Sequence, residues 1–219
     1  MNLQSGLDRM KGDLSDWDFT CLLEEQAREV TELIRKFGPN PPSSALERAY
    51  RFLIDVEKWK AMCLQQRMGM AATNPIRTVW NALKEALEAG TDRQALLAVM
   101  ELKGFGSSID EESGQRRAKV ATSVLRFLKP EDWGVVDWRT AAMLGCLDAT
   151  GDDVNEAIAL AKAENAQELR GVFDLIDESA ACEFNQQYRS RKSIDLPRTA
   201  DVELAIFGLS VIAWPWKAN

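Results

Sequence analysis

The chain contains no histidine among its 219 residues, and its four cysteines are far apart, with no Cys-x-x-Cys pair. The lack of histidine excludes Ser-His-Asp and Cys-His catalysis and removes the commonest zinc ligand. The cysteine spacing argues against a zinc or iron–sulfur site. We therefore expect no metal, no iron–sulfur cluster and no cofactor. Any chemistry then depends on carboxylates, lysines, hydroxyls or backbone groups.

The sequence also lacks long apolar runs and an excess of positive charge. No stretch approaches the roughly 20 apolar residues that a membrane-spanning helix needs. Acidic residues stand near the start, where a signal peptide would carry its apolar core. We expect a cytoplasmic protein with no membrane partner. The net charge of -7 argues against a protein that coats nucleic acid through its whole surface, but it allows binding through one basic face.

Apolar residues recur at three- and four-residue steps through most of the chain, which predicts an all-α fold. Capping residues, glycines and prolines divide the pattern into a compact array of about nine helices. We expect a single globular unit over 1–219, or two lobes, roughly 1–90 with the C-terminal helix and 91–198. The predicted helices cover approximately 17–37, 44–67, 75–89, 91–103, 116–128, 138–149, 152–164, 166–190 and 199–213.

The stretch 102–144 carries the most information about function. It begins with Leu-Lys-Gly-Phe-Gly at 102–106, a helix end with two glycines around one apolar residue. Such a turn is either an ordinary helix C-cap or a place where backbone amides approach a phosphate. A helix from Lys119 follows, and then a Val-Val pair leads to Asp137. A carboxylate at a helix start is either an N-cap or a group held at the mouth of a cleft.

Leu-x-Gly-x-Gly at 102–106, the Lys-x-Ala helix at Lys119, and the apolar pair before Asp137 together resemble the helix-hairpin-helix DNA glycosylase superfamily, the endonuclease III and 8-oxoguanine glycosylase group. These motifs cover some 40 residues. The resemblance implies a helix-hairpin-helix motif within the all-α array and DNA as the partner. It also implies removal of a damaged base, with or without strand cleavage.

The resemblance also implies roles for individual residues. Asp137 would stabilise the positive charge on the sugar as the base departs. Lys119, eighteen residues earlier, would attack C1′ as in the bifunctional members. The hairpin would hold a DNA phosphate, and aromatic or basic residues beside it would contact bases or phosphates. The implied nucleic-acid-binding residues are Gly104, Phe105, Gly106, Arg116, Arg117, Trp138 and Arg139.

An acidic insertion at 107–115 separates the glycine turn from the Lys119 helix. Its three acids, together with the overall acidity, would repel DNA from the hairpin. These features favour an alternative, a non-catalytic helix-hairpin-helix scaffold that binds a nucleic acid, a nucleotide or another protein. In that case Asp137 would serve only as an N-cap, and Lys119 would be a solvated helix residue.

Overall fold

The computed structural model describes residues 1–12, 14–64, 69–106, 118–173 and 176–215, with the backbone alone for 14–16 and 61–64. Within these ranges there are eleven α-helices, one 3₁₀ turn at Ala71–Thr73 and no β-strand. The helices are α1 Leu3–Lys11, α2 Leu14–Phe37, α3 Ser43–Leu64, α4 Ile76–Glu88, α5 Asp92–Met100, α6 Lys119–Leu128, α7 Trp138–Ala149, α8 Val154–Ala163, α9 Ala166–Val172, α10 Glu178–Ser190 and α11 Thr199–Ala213.

The predicted all-α class is confirmed, but the predicted number of about nine helices is wrong. One additional helix is α1. Its N-cap is Asn2, whose side chain accepts a hydrogen bond from the Ser5 amide. The other arises because the helix predicted over 166–190 is two helices. Asp177 caps α10, and the buried Ile176 accepts a backbone hydrogen bond from Ala118 instead of continuing a helix. Core packing against the start of α6 therefore overrides the helical periodicity.

Helix α6 occupies the centre of the fold. It packs against α2, α3 and α5, and every residue from 121 to 128 is buried. The core is one contiguous cluster whose largest apolar members include Trp80, Trp133 and Phe52. None of the described helices is long and apolar enough to cross a membrane. The division into two lobes stays a prediction.

Two glycines bring α1 into close contact with α11. A Cβ atom added to Gly6 would lie 2.0 Å from the carbonyl oxygen of Ala205, and one added to Gly208 would lie 2.0 Å from the carbonyl oxygen of Gly6. Only residues without a side chain allow the two backbones to approach this closely. Helix α11 is consequently covered on most sides, by α1, α7, α8 and α10.

Candidate functional site around Asp137

The chain between α6 and α7 carries Asp137 to the start of α7. Trp133, Val135 and Val136 are buried in this connection, so it runs through the interior. Oγ1 of Thr122, on α6, accepts a hydrogen bond of 3.0 Å from the amide of Val136 and donates one of 2.7 Å to the carbonyl of Lys119. Thr122 therefore ties the first turn of α6 to the residue just before Asp137.

Asp137 is the N-cap of α7. Its Oδ1 accepts hydrogen bonds from the amides of Arg139 at 3.0 Å and Thr140 at 3.2 Å. The Thr140 hydroxyl accepts a hydrogen bond from the Asp137 amide in return, which completes a capping box. The positive end of the helix dipole also favours a negative charge here.

The second carboxylate oxygen of Asp137 contacts a lysine from a distant part of the chain. Nζ of Lys60, on α3, donates a hydrogen bond of 3.2 Å to Oδ2, and the Lys60 side chain is only 4% exposed. Burial on its own raises the pKa of Asp137, but the Lys60 charge and the hydrogen bonds from Thr140, Lys60 and Arg139 outweigh it. The net pKa of Asp137 is lowered. The carboxylate is therefore ionised at neutral pH.

Sequence reasoning missed Lys60. The buried face of α3 carries Phe52, Leu53 and Val56, and Lys60 continues that face four residues after Val56. A lysine within an apolar stripe of helical spacing is a signal that could have identified it. Its partner could not have been identified in this way, because Asp137 lies 77 residues away in the sequence.

Lys119 is the first residue of α6 and is half-buried. The hydrogen bonds of Thr122 bring the backbone of Lys119 close to that of Val136, the residue before Asp137.

The glycine turn at 102–106 is packed tightly against Met70 and Met100. Gly104 has φ +91°, and a Cβ atom there would lie 2.5 Å from Cβ of Met70. A Cβ atom on Gly106 would lie 2.3 Å from the carbonyl oxygen of Met100. Phe105 is 1% exposed, so its side chain anchors the turn in the core and does not face solvent. Both glycines are thus required by the packing of the turn.

Asn74 holds this turn from the side. Its Oδ1 accepts a hydrogen bond of 2.8 Å from the amide of Lys103, and its Nδ2 donates one of 3.1 Å to the carbonyl of the same residue. Arg116, Arg117 and the acidic insertion lie outside the described residues. The connection from the turn to α6 lies there too, so the helix-hairpin-helix motif stays a prediction.

Trp138 and Arg139 lie next to Asp137 but make internal contacts. Nη1 of Arg139 donates hydrogen bonds to the carbonyl of Trp214 at 2.7 Å and of Ser210 at 3.4 Å. The Arg139 guanidinium lies 4.9 Å from the centre of the Trp138 ring, which is itself 5.6 Å from the ring of Trp214. This group joins the start of α7 to the end of α11, and Arg139 is only 8% exposed.

Two further buried charged residues, Arg126 and Glu203, lie close to Asp137 and Lys60. The pKa of Glu203, on α11, is raised to about 7, first by burial and also by Asp137, while Arg126, Lys60 and the Val135 backbone lower it. Oε2 of Glu203 lies 3.8 Å from Nε of Arg126, and both side chains are almost fully buried. Asp137 is therefore ionised at neutral pH, whereas Glu203 gains and loses its proton there, and such a separation of two carboxylate pKa values is common at functional sites.

A surface groove of about 450 Å³ lies between α2 and the end of α6. Its described lining includes Arg28 and Arg35 from α2, together with Phe127 and Pro130, but none of the predicted site residues. Within the described residues, no group of three or more acids and cysteines is placed to hold a metal ion.

No protein-family model, curated protein or solved structure matches this chain. The interpretation of the site therefore rests on its own residues and geometry.

Proposed function

We propose that the protein binds DNA and excises a damaged base, as the resemblance to DNA glycosylases implies, with Asp137 as the catalytic carboxylate. One observation carries this proposal. An ionised, almost buried carboxylate stands at the start of α7, and Thr122 links the residue before it to the first turn of α6, where Lys119 lies. The tightly packed glycine turn adds a rigid backbone element for contact with a phosphate.

The chemistry of base removal fits an ionised carboxylate of this kind. As the bond from C1′ to the base nitrogen breaks, positive charge develops on the sugar, and a fixed negative charge beside it stabilises that transition state. The base would first have to be rotated out of the helix stack to reach Asp137. The departing base takes the bonding electrons and acquires a proton, while a water molecule adds to C1′ and releases a proton, which leaves an abasic sugar.

A lyase step is the second part of the proposal and requires Lys119. Its neutral amine would attack C1′ as the base leaves, and loss of the amine proton with ring opening would give an iminium ion. Removal of a C2′ proton would then break the C3′–O bond and cut the strand. Hydrolysis would release the lysine.

One specific observation favours the alternative, a non-catalytic scaffold that binds a nucleic acid, a nucleotide or a protein. Both carboxylate oxygens of Asp137 already accept hydrogen bonds, and the Arg139 guanidinium is directed to the end of α11. In this alternative Asp137 only caps its helix. The net charge of -7 also favours a partner other than duplex DNA.

A cleavage assay tests the proposal. Duplexes that carry 8-oxoguanine, uracil, an alkylated base or an abasic site are incubated with the protein, with and without hot alkali. The variants are Asp137→Asn and Lys119→Ala. Asp153→Asn is the matched control, because Asp153 caps the exposed start of α8 through amides in the same way.

We expect alkali-dependent cutting that Asp137→Asn abolishes and Asp153→Asn leaves unchanged. Direct cutting that is lost in Lys119→Ala would add the lyase step. If no substrate is cut, and DNA binds no more tightly than ~10⁻⁴ M at physiological salt, base excision is wrong and the scaffold alternative is favoured.

A further inference from the structure

Three aspartates cap helices in the described part of the chain, and one of them differs from the others. Asp153 and Asp177 accept helix amides through Oδ1, as Asp137 does. Of these three aspartates, only Asp137 also forms an ion pair with a lysine among the described residues. Capping a helix therefore does not require Lys60.

Packing does not require Lys60 either. Position 60 continues the apolar stripe of α3, where an apolar side chain would fill the same place without desolvating an ammonium group. The lysine instead holds its Nζ at 3.2 Å from Oδ2, the carboxylate oxygen that the helix amides do not use. Its effect is thus directed at the carboxylate oxygen that does not cap the helix.

We propose that Lys60 is a positioning residue for the proposed reaction. It orients Oδ2 of Asp137 and keeps that carboxylate anionic until the substrate arrives. This inference rests on the proposed function. Lys60 acts through Asp137 and does not itself contact DNA, because its side chain is buried.

Other groups also act on Asp137 and must be considered in any pH profile. Glu203 on α11, Tyr188 on α10 and Arg139 on α7 interact with it electrostatically. On α6, Thr122 is uncharged, and it is linked to Asp137 only indirectly, by the hydrogen bond that it accepts from the amide of Val136. Among these groups Glu203 changes its protonation near neutral pH, so its effect has to be separated from that of Lys60.

The experiment is single-turnover base excision as a function of pH, with Lys60→Met, Lys60→Arg and the control Lys58→Met. Lys58 lies on the same helix but pairs with Asp55 near the surface. The ¹³C carboxyl shift of Asp137 is titrated in each folded variant, because this readout needs no activity. The same pH profile of the excision rate, measured in Glu203→Gln, identifies the part of the profile that depends on the protonation of Glu203.

We expect Lys60→Met to lower the excision rate at pH 7 at least about tenfold with little change in DNA affinity, and to move the acid limb of the profile upward with the Asp137 titration. Lys60→Arg should keep the acid limb in place but lower the rate, because its planar group does not reproduce the ammonium geometry. Lys58→Met should do neither.

The outcomes separate this inference from the proposed function. If the unmodified protein excises bases and Lys60→Met does so with the same rate and profile, the positioning role is wrong while the function stands. If Lys60→Met does not fold, Lys60→Arg decides: an unchanged rate, or an acid limb that moves, overturns the inference. If the unmodified protein excises nothing, the proposed function fails and the inference fails with it.

Discussion

Arg126 and Glu24 form an ion pair inside the protein, with Nη1 of Arg126 3.0 Å from Oε1 of Glu24. The Arg126 side chain is 1% exposed. The other oxygen of Glu24 lies 3.1 Å from Arg198, and Arg126 also faces Glu203. The charges thus run from α2 across α6 to α11. Because Glu203 also interacts with Lys60 and Asp137, the buried charges form one electrostatic unit with the candidate site.

The raised pKa of Glu203 predicts a stability that decreases as the pH rises. Its pKa is about 7 in the folded protein, against an ordinary value of 4.5. Between these values the folded state binds more protons than the unfolded state, so the free energy of unfolding falls with rising pH. The contribution is of the order of 3 kcal/mol. Glu203→Gln should be close to the unmodified protein in stability at pH 5 and more stable at pH 8.

Urea denaturation at several pH values measures this difference. Glu183→Gln, an exposed substitution on α10, is the control and should follow the unmodified protein at every pH. A constant difference between Glu203→Gln and the unmodified protein from pH 5 to pH 8 would contradict the prediction.

The ion pair of Lys60 and Asp137 predicts strong coupling between two substitutions. Lys60→Met leaves a buried carboxylate without its cation, and Asp137→Asn leaves a buried ammonium without its anion. Each single substitution should cost about 3–5 kcal/mol, whereas the double variant should cost less than the sum. Asparagine can still accept the helix amides, so the loss in Asp137→Asn reports mainly on Lys60.

A double-mutant cycle by thermal and urea unfolding gives the coupling energy. The lowered pKa of Asp137 means that its stabilising contribution is present above the ordinary value of 3.8 and is lost as the pH falls through the folded value. The coupling should therefore be large at pH 7 and weaken in strong acid. Equal additive effects at both pH values would be inconsistent with a buried ion pair.

The sequence was sufficient for the fold class and for the position of Asp137 at a helix start. Both depend on local signals, namely apolar periodicity and capping residues. The break between α9 and α10 could not be predicted in the same way. It depends on the packing of Ile176 against the start of α6, and the residues around it continue a helical pattern.

The electrostatics of the site were harder to predict than the fold class, because they depend on tertiary structure. Lys60, Arg126 and Glu203 would be assigned to solvent by their residue type, because charged side chains are rarely buried unless they are paired. Their partners lie on other elements: the packing of α3 against the start of α7 joins Lys60 to Asp137, and the packing of α6 against α11 joins Arg126 to Glu203. Arg139 was predicted to contact DNA because it is positively charged. In the structure its guanidinium donates hydrogen bonds to the carbonyls of Ser210 and Trp214 at the end of α11.

Asn74 provides a test of how the glycine turn is held. Asn74→Ala removes both hydrogen bonds to Lys103 and should destabilise the protein by about 1–3 kcal/mol. Amide hydrogen exchange at Lys103 should become faster. Asn165→Ala, at the exposed N-cap of α9, is the control and should cost no more than about 1 kcal/mol without affecting Lys103. Unchanged exchange at Lys103 would show that the turn does not depend on Asn74.

The glycines of the turn should not tolerate a side chain. Gly106→Ala would place a Cβ atom 2.3 Å from a backbone oxygen, which cannot move as easily as the end of a side chain. Gly104→Ala would strain the backbone at φ +91° and push against Met70. We expect each to cost at least about 2 kcal/mol, by the mechanisms of strain and overpacking.

Gly145→Ala is the matched control for these two substitutions. Gly145 lies within α7, and an added Cβ atom would meet nothing within 4 Å. Alanine should therefore stabilise the helix by about 0.5–1 kcal/mol, through its higher helix propensity. Urea denaturation of the three variants measures the effects side by side. If Gly106→Ala were as stable as Gly145→Ala, the turn would have to be packed more loosely than the distance to Met100 indicates.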